Sequence, residues 1–341
     1  MPNIIELFNT AEVNNYVKAR VYPPMLGESL FPESRMDGLT FEDILGGSGT
    51  SVAASIHGFD TESEIASREG IQSVWRSLAL IKRKIPMREE LIIAVANPRT
   101  NTELANTLKT IWNDVDTMVN AVKTRVEAMR LEALMTGEIA HTQNGAAITI
   151  PYGVPVGHKT VLATKWSDPA SLPLVDLQGW VNTMSLEGIT VTRALTSQQV
   201  SAALLKNASI RSAVFGTNSA KMLSMPELNN FLSSMALPTI LVDNRTYREQ
   251  NKNGTYTTKN FVATNRIALL PDGALGETKF GPTAEEIRLM SKGDIDASMV
   301  GNIFAMVYDT EDPVTTWTKA AATSMPSFPR ANEVFLAQVL A

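Results

Sequence analysis

The chain has no cysteine and only three histidines, His57, His141 and His158. Disulfide scaffolds, thiolate zinc sites, iron–sulfur clusters and cysteine nucleophiles are therefore excluded. A catalytic triad or a histidine-rich metal site would have to draw on those three positions, which stand 84 and 17 residues apart without ligand-like spacing. Long apolar runs are missing as well. None approaches the roughly 20 residues that span a bilayer, and the start, MPNIIELFNTAEVNNYV, has no basic segment followed by an apolar core. Positive charge is scarce: 30 Lys and Arg stand against 35 Asp and Glu, a net charge of −5 and a pI near 5.4. Such a chain is not built mainly to grip nucleic-acid backbone. There is no Gly-x-Ser-x-Gly elbow and no His-Glu-x-x-His pair, and the glycine-rich Gly46–Thr50 lacks the lysine of a phosphate loop.

What is present is a 341-residue chain, 44% hydrophobic and 19% charged, the composition of a folded protein of about two domains. Its first 51 residues are interrupted by Pro2, Pro23, Pro24 and Pro32. They predict one helix over Ile4–Ala19 and otherwise an extended arm, whose scattered apolar residues need a surface to lie on, such as a neighbouring subunit. Residues 52–97 read as a long hairpin-like excursion, with strands near Val52–His57 and Ser73–Arg83 and a final apolar tract at Leu91–Val95.

The clearest signal follows. Thr100 and Glu103 form a capping box. Leu104, Leu108, Ile111, Val115, Met118, Val122, Val126 and Met129 then recur at helical spacing. The predicted helix, Thr102–Met135, is about 51 Å long at 1.5 Å per residue, and Gly137 is its stop. Asn144-Gly145 predicts a hairpin of Glu138–Gln143 with Ala146–Tyr152. A strand is expected at His158–Trp166 and a helix at Leu172–Met184. Beyond Gly188 the elements expected are Thr190–Leu195 (strand), Ser197–Lys206 (helix), Ala213–Phe215 (strand), Pro226–Met235 (helix) and Thr239–Val242 (strand). Asn244–Asn260 reads as a surface hairpin or loop, and further strands are expected near Asn265–Leu270, Asn302–Tyr308 and Val334–Leu340. Asp309, Glu311 and Asp312 before Pro313 read as a solvated turn rather than a calcium loop.

The run Lys82-Arg83-Lys84 lies on a predicted strand, which puts Lys82 and Lys84 on one face and Arg83 on the other. It suits a contact with the acidic stretch Asp60, Glu62, Glu64 of another copy, and equally a lysine-protected sheet edge.

A long arm, a long excursion, one very long helix and a mixed remainder describe a subunit that presents surface to neighbours. The order of these features resembles the major capsid proteins of tailed bacteriophages, the lambda-like capsid protein E family. The resemblance rests on Gly58-Phe59-Asp60 and Ser67-Arg68-Glu69-Gly70 in the excursion, and on Ile81-Lys82-Arg83-Lys84-Ile85-Pro86 at its end. It rests further on the helix end Glu127–Gly137, on Trp166-Ser167-Asp168-Pro169 with Asp176, and on the closing Ala331–Val339. It implies an α+β chain of the HK-97-like capsid fold. The parts would be an N-terminal arm (1–51), an extended β-hairpin loop (52–97), and a peripheral domain (98–166) with its spine helix over 102–135. An axial domain (167–295) and the closing strands of the peripheral domain (296–341) would complete it.

The resemblance also implies a structural role without enzymatic activity, cofactor, metal or membrane. Copies would assemble as hexamers and pentamers into an icosahedral virion shell around non-specifically held double-stranded DNA. A portal protein and a separate scaffolding protein would be partners, the latter because no long helical leader precedes the arm, with a decoration protein as an optional one. The inter-subunit contact residues expected are Asp60, Glu62, Glu64, Arg68, Glu69, Arg76, Lys82, Arg83 and Lys84. An encapsulin-like cargo shell and, further off, a mixed α/β small-molecule enzyme are the alternatives.

Overall fold

A computed structural model describes residues 8–45, 72–87, 89–143, 146–216, 221–251, 253–292, 300–311 and 314–341. The expected strand Val52–His57, the glycine run 46–50 and the turn Asn144-Gly145 lie outside the described residues.

The N-terminal segment is less extended than its prolines suggest. It holds a helix, Thr10–Ala19, whose N-cap Asn9 accepts a hydrogen bond from the Glu12 amide. A five-residue helix, Leu26–Leu30, follows, then strands β1 (Glu33–Arg35) and β2 (Thr40–Leu45). The single strand expected over 73–83 is two, β3 (Gln72–Ser77) and β4 (Ala79–Pro86), parted at Leu78, whose amide is bound by the Leu39 carbonyl. Strands β2 and β3 form a two-stranded ribbon.

The tract Leu91–Val95, expected to end the strand region, lies instead in a helix, Glu89–Ala96. An apolar run without alternation fits either state, and here Leu91, Ile92 and Val95 turn inward while Ile93 is exposed. The long helix spans Asn101–Thr136, 36 residues. Gly137 ends it at φ +73°, where a Cβ would meet the Lys159 ammonium and Val154 at 2.9 Å, so the stop requires glycine.

The hairpin β5 (Glu138–Gln143) and β6 (Ala146–Pro151) follows in the expected register. Of the expected strand 158–166, Lys159–Val161 (β7) forms the ladder with the closing strand, and the Leu162 and Trp166 amides donate further on to the Gln338 and Val339 carbonyls. The helix Pro173–Leu186 leads to β8 (Val191–Thr196) and the helix Gln198–Lys206, capped by Ser197. Ala213–Phe215, expected as a strand, is the end of a helix, Ala208–Phe215. The Asn207 side chain starts that helix by accepting from the Ser209 and Ile210 amides. The helix Met225–Ser234 and β9 (Thr239–Val242) follow, then the hairpin β10 (Thr246–Gln250) and β11 (Tyr256–Asn260), and β12 (Arg266–Pro271).

Three elements that the sequence reading passes over come next: β13 (Glu277–Gly281), the helix Ala284–Lys292 and β15 (Val314–Ser327), with β14 (Phe304–Glu311) between the last two. Strand β16 (Phe335–Gln338) closes the chain.

The chain divides into two compact units. The described residues of the first come from 8–41, 75–130 and 277–327. Its sheet is built on β15, which pairs with β14 and β13 along one edge and with β4 along the other; β1 joins parallel to β13. The long-helix stripe Ile111, Val115, Met118, Val122 and Val126 is buried here against Phe8, Val13, Val17, Phe280 and Val307. The sequence stripe therefore faces a core that includes the N-terminal segment.

The second unit takes its described residues from 42–45, 72–74, 131–276 and 328–341. Its five-stranded sheet has the order β7-β16-β12-β8-β9 and is mixed, with parallel pairs at β7–β16 and β8–β9. The crossover from β8 to β9 carries helices, as a parallel connection requires. Trp166, Trp180 and Phe335 stack in sequence in its core, at 5.8 and 5.3 Å between ring centres.

Candidate assembly surfaces

The basic strand comes first, because the sequence singles it out. Along β4, Ala79, Ile81, Arg83 and Ile85 are half-buried, while Leu80, Lys82, Lys84 and Pro86 are exposed. The two-residue period thus separates Lys82 and Lys84 from Arg83 as expected. The Lys82 ammonium lies 2.6 Å from Glu285 Oε1, and the Lys319 ammonium reaches the same oxygen at 2.6 Å. Burial alone raises the Glu285 carboxyl, but hydrogen bonds from Lys319 and Lys82 outweigh it and draw it down to about 2. The Lys84 ammonium sits 3.8 Å from the centre of the Trp317 ring. Arg76, on β3, is buried. Asp60, Glu62, Glu64, Arg68 and Glu69 lie outside the described residues. The sequence reading missed Glu285 and Lys319. The signal was available for Glu285: Thr283 and Glu286 form a capping box, with the Glu286 amide donating to Thr283 Oγ1, and this starts the helix that carries Glu285.

A second feature is buried. Arg130, 2% exposed, donates through Nε to Thr278 Oγ1 at 2.7 Å and through Nη2 to Glu33 Oε1 at 2.9 Å. The other oxygen of Glu33 accepts from Asn302 at 2.7 Å. One turn before Arg130, Glu127 accepts the Gly27 amide at 2.9 Å and lies 3.6 Å from the Arg130 guanidinium. Gly27 has no room for a side chain, since a Cβ would stand 2.6 Å from the second Glu127 oxygen. This network joins the N-terminal segment, the long helix, β13 and residue 302 inside the first unit. Further along the same helix, Asp116 accepts from the Tyr16 and Tyr22 hydroxyls at 3.1 Å and pairs with Arg20 at 2.9 Å. Burial and the facing Asp116 carboxylate hold the Tyr22 hydroxyl protonated, well above the ordinary tyrosine range.

The second unit presents a different surface. Trp166 and Asp176, both in the expected junction, meet through an Nε1–H to Oδ2 hydrogen bond of 2.8 Å. The β10–β11 hairpin is mostly solvent-exposed, with every residue of β11 outward. Leu172, Val175, Leu186 and Met222 are apolar and exposed. A cleft of about 460 Å³ beside Trp166 is lined on its polar side by Ser167, Asp168, Gln199, Lys206 and Asn207, without a histidine or a second carboxylate. His158 is buried, with Nε2 3.1 Å from Glu187. His57 and the His141 side chain are outside the described set. Among the described residues no helix is long and apolar enough to cross a membrane.

These surfaces present charged edges and apolar faces on two units, each assembled from three stretches of chain. The sequence model of phage major capsid protein E matches residues 9–339. The chain belongs to this family. A protein described as a prophage capsid protein from E. coli CFT073 superposes with a TM-score of 0.62 at 13% identity, over 97% of this chain and 99% of that one. A phage-related protein from Bordetella bronchiseptica RB50 does so at 0.55 and 12% identity, over 96% and 95%. At such identities the likeness is one of fold. No curated protein matches the chain. Family and fold together make this a structural protein of the capsid shell with the HK-97-like fold, located in the virion and working as an assembly of many copies.

Proposed function

We propose that copies of this chain assemble as hexamers and pentamers into the icosahedral head shell of a tailed phage, around packaged double-stranded DNA. The family match over residues 9–339 carries the reading. The subunit's work is mechanical, not enzymatic. Copies meet at several modest interfaces whose effects multiply once the subunits are linked in a closed shell. A separate scaffolding protein guides closure, a portal protein joins the shell, and a decoration protein is an optional outer partner. DNA is held non-specifically, and a net charge of −5 leaves the lining without the dense positive charge that would fix the duplex.

At the residue level, Arg68, Lys82, Arg83 and Lys84 of one copy pair with Asp60, Glu62, Glu64 or Glu69 of another, and Arg76, expected among them, is buried in its own chain and drops out of the set. The exposed face of β4 favours Lys84 among them, because Lys82 already serves Glu285. The test is electron microscopy of the full chain produced alone and with a candidate scaffolding protein. Closed shells with five- and six-fold capsomers are expected, and monomer under both conditions would overturn the reading. Lys84→Glu is expected to lower shell yield, and adding Glu62→Lys to restore it. Normal shells from Lys84→Glu alone would remove this pairing and leave the shell reading standing.

A further inference from the structure

Among the described residues the ribbon of β10 and β11 pairs with no third strand. Its register sets Tyr247 against Lys259 and Glu249 against Thr257. At its two ends the Phe261 amide donates to the Arg245 carbonyl at 3.2 Å and the Asn251 amide to the Thr255 carbonyl at 2.8 Å. These are odd-numbered positions of one ladder. In an antiparallel pair the bonds inside the ribbon therefore belong to the odd positions, and the N–H and C=O groups of even positions point outward. Among them are Thr246 and Arg248 on β10, and Tyr256, Thr258 and Asn260 on β11. No described side chain takes the outward backbone groups of these five. Elsewhere the chain does cap such positions: the Asn14 side chain holds the amide and carbonyl of Ala305 on β14, and Asn229 those of Ile240 on β9. Every residue of β11 is exposed, and so is every second residue of β10. A two-stranded hairpin without a covered face or a third strand is marginal in water.

The two edges suit each other. When β11 of one copy lies antiparallel on β10 of the next, in the register the ribbon itself uses, Thr258 faces Arg248 and Asn260 faces Thr246. Lys259 then stands diagonal to Glu249 of the next copy, the residue it pairs with inside its own chain. No like charges face each other. Two β10 edges centred on Arg248 would instead set guanidinium against guanidinium, which is unfavourable. An edge that fits a different edge makes a heterologous contact, and such a contact repeats until its rotation closes a ring. We propose that the ribbons of neighbouring copies add edge to edge, β11 of one on β10 of the next, and close an antiparallel ring of strands in each five- and six-fold capsomer. The partner of this surface is a second copy of the chain. The contact rests on the shell reading and adds to it a specific pairing element.

The absence of cysteine supplies a clean test. Full chains carrying Arg248→Cys and full chains carrying Thr258→Cys are mixed, assembled into shells and mildly oxidised. Facing Cα atoms about 5.5 Å apart suit a disulfide. The mixture is therefore expected to give dimers that reductant reverses, and each variant alone none. Thr258→Pro removes an outward N–H and no bond of the ribbon. It is expected to leave the subunit's melting temperature unchanged and to abolish closed shells, whereas Thr258→Val, which keeps the N–H, is expected to close them. Closed mixed shells that yield no dimer overturn the proposal while the shell reading stands; so do normal shells from Thr258→Pro. Dimers from Thr258→Cys alone overturn it in favour of a two-fold contact between β11 edges. Wild-type chain that never assembles contradicts both the proposal and the shell reading.

Discussion

Two asparagines do the same work in the two units, at very different range. In the second unit Asn229, on the helix Met225–Ser234, donates to the Ile240 carbonyl at 3.0 Å and accepts from the Ile240 amide at 2.8 Å, 11 residues away. In the first, Asn14 makes the same pair of bonds with Ala305, at 2.9 and 3.0 Å, across 291 residues. Each amide occupies the outward-facing N–H and C=O of an edge strand, β9 or β14. An open edge invites pairing with another chain, so both sheets carry a plug against indiscriminate growth. The second unit finds its plug within one helix–strand step. The first must bring its N-terminal segment onto a strand near the end of the chain. Long-range closure of this kind is slow to form, and its failure exposes a sheet edge.

The comparison breaks most sharply at Arg130. Arg130→Ala leaves buried Glu127 and half-buried Glu33 without their cation, and a loss of about 3–5 kcal/mol is expected. Urea unfolding of the subunit measures it, and hydrogen exchange is expected to show the loss in the first unit only. Gly27→Ala forces a methyl against Glu127 and is expected to cost about 1–3 kcal/mol, read by the same unfolding curve. The two plugs can then be compared directly. Asn14→Ala is expected to cost about 1–3 kcal/mol because it strands a buried amide and carbonyl, and Asn229→Ala about 1 kcal/mol at its half-buried site. Equal losses in thermal melts would mean that range and burial do not matter here.

The smallest effect is at Glu285. Its folded carboxyl titrates near 2, below its ordinary 4.5, so its contribution is present above about pH 4.5 and is lost as pH falls toward 2. Glu285→Gln is therefore expected to melt below wild type at pH 6 and to converge with it near pH 2. A constant gap in a pH series of melts would contradict the assignment.

The long helix was legible to within one residue at each end, because seven turns of apolar spacing leave no alternative. So were Gln198–Lys206 and Thr239–Val242, where short elements alternate locally. Strand β15 was not. Its Ala320-Ala321-Ala322 and Pro326 have little strand preference, and pairing on both edges makes it a strand. The facing of Lys82 and Lys84 followed from a period of two. Their partners did not, since Glu285 lies 203 residues from Lys82. Nor did the place of the N-terminal segment: Phe8, Val13, Leu30 and Phe31 are buried in their own chain, where apolar residues among prolines suggested an arm lying on a neighbour.

The N-terminal segment is thus part of the first unit's core, and the assembly-competent subunit is expected to need it. Peptide-level hydrogen exchange on the full chain and on a variant lacking residues 1–24 tests it most directly, with shell formation scored in parallel. In the shortened variant residues 101–130 and 304–311 are expected to lose protection, 191–196 and 266–270 to keep it, and shells to fail to form. Unchanged protection of 304–311 together with normal shells would contradict it.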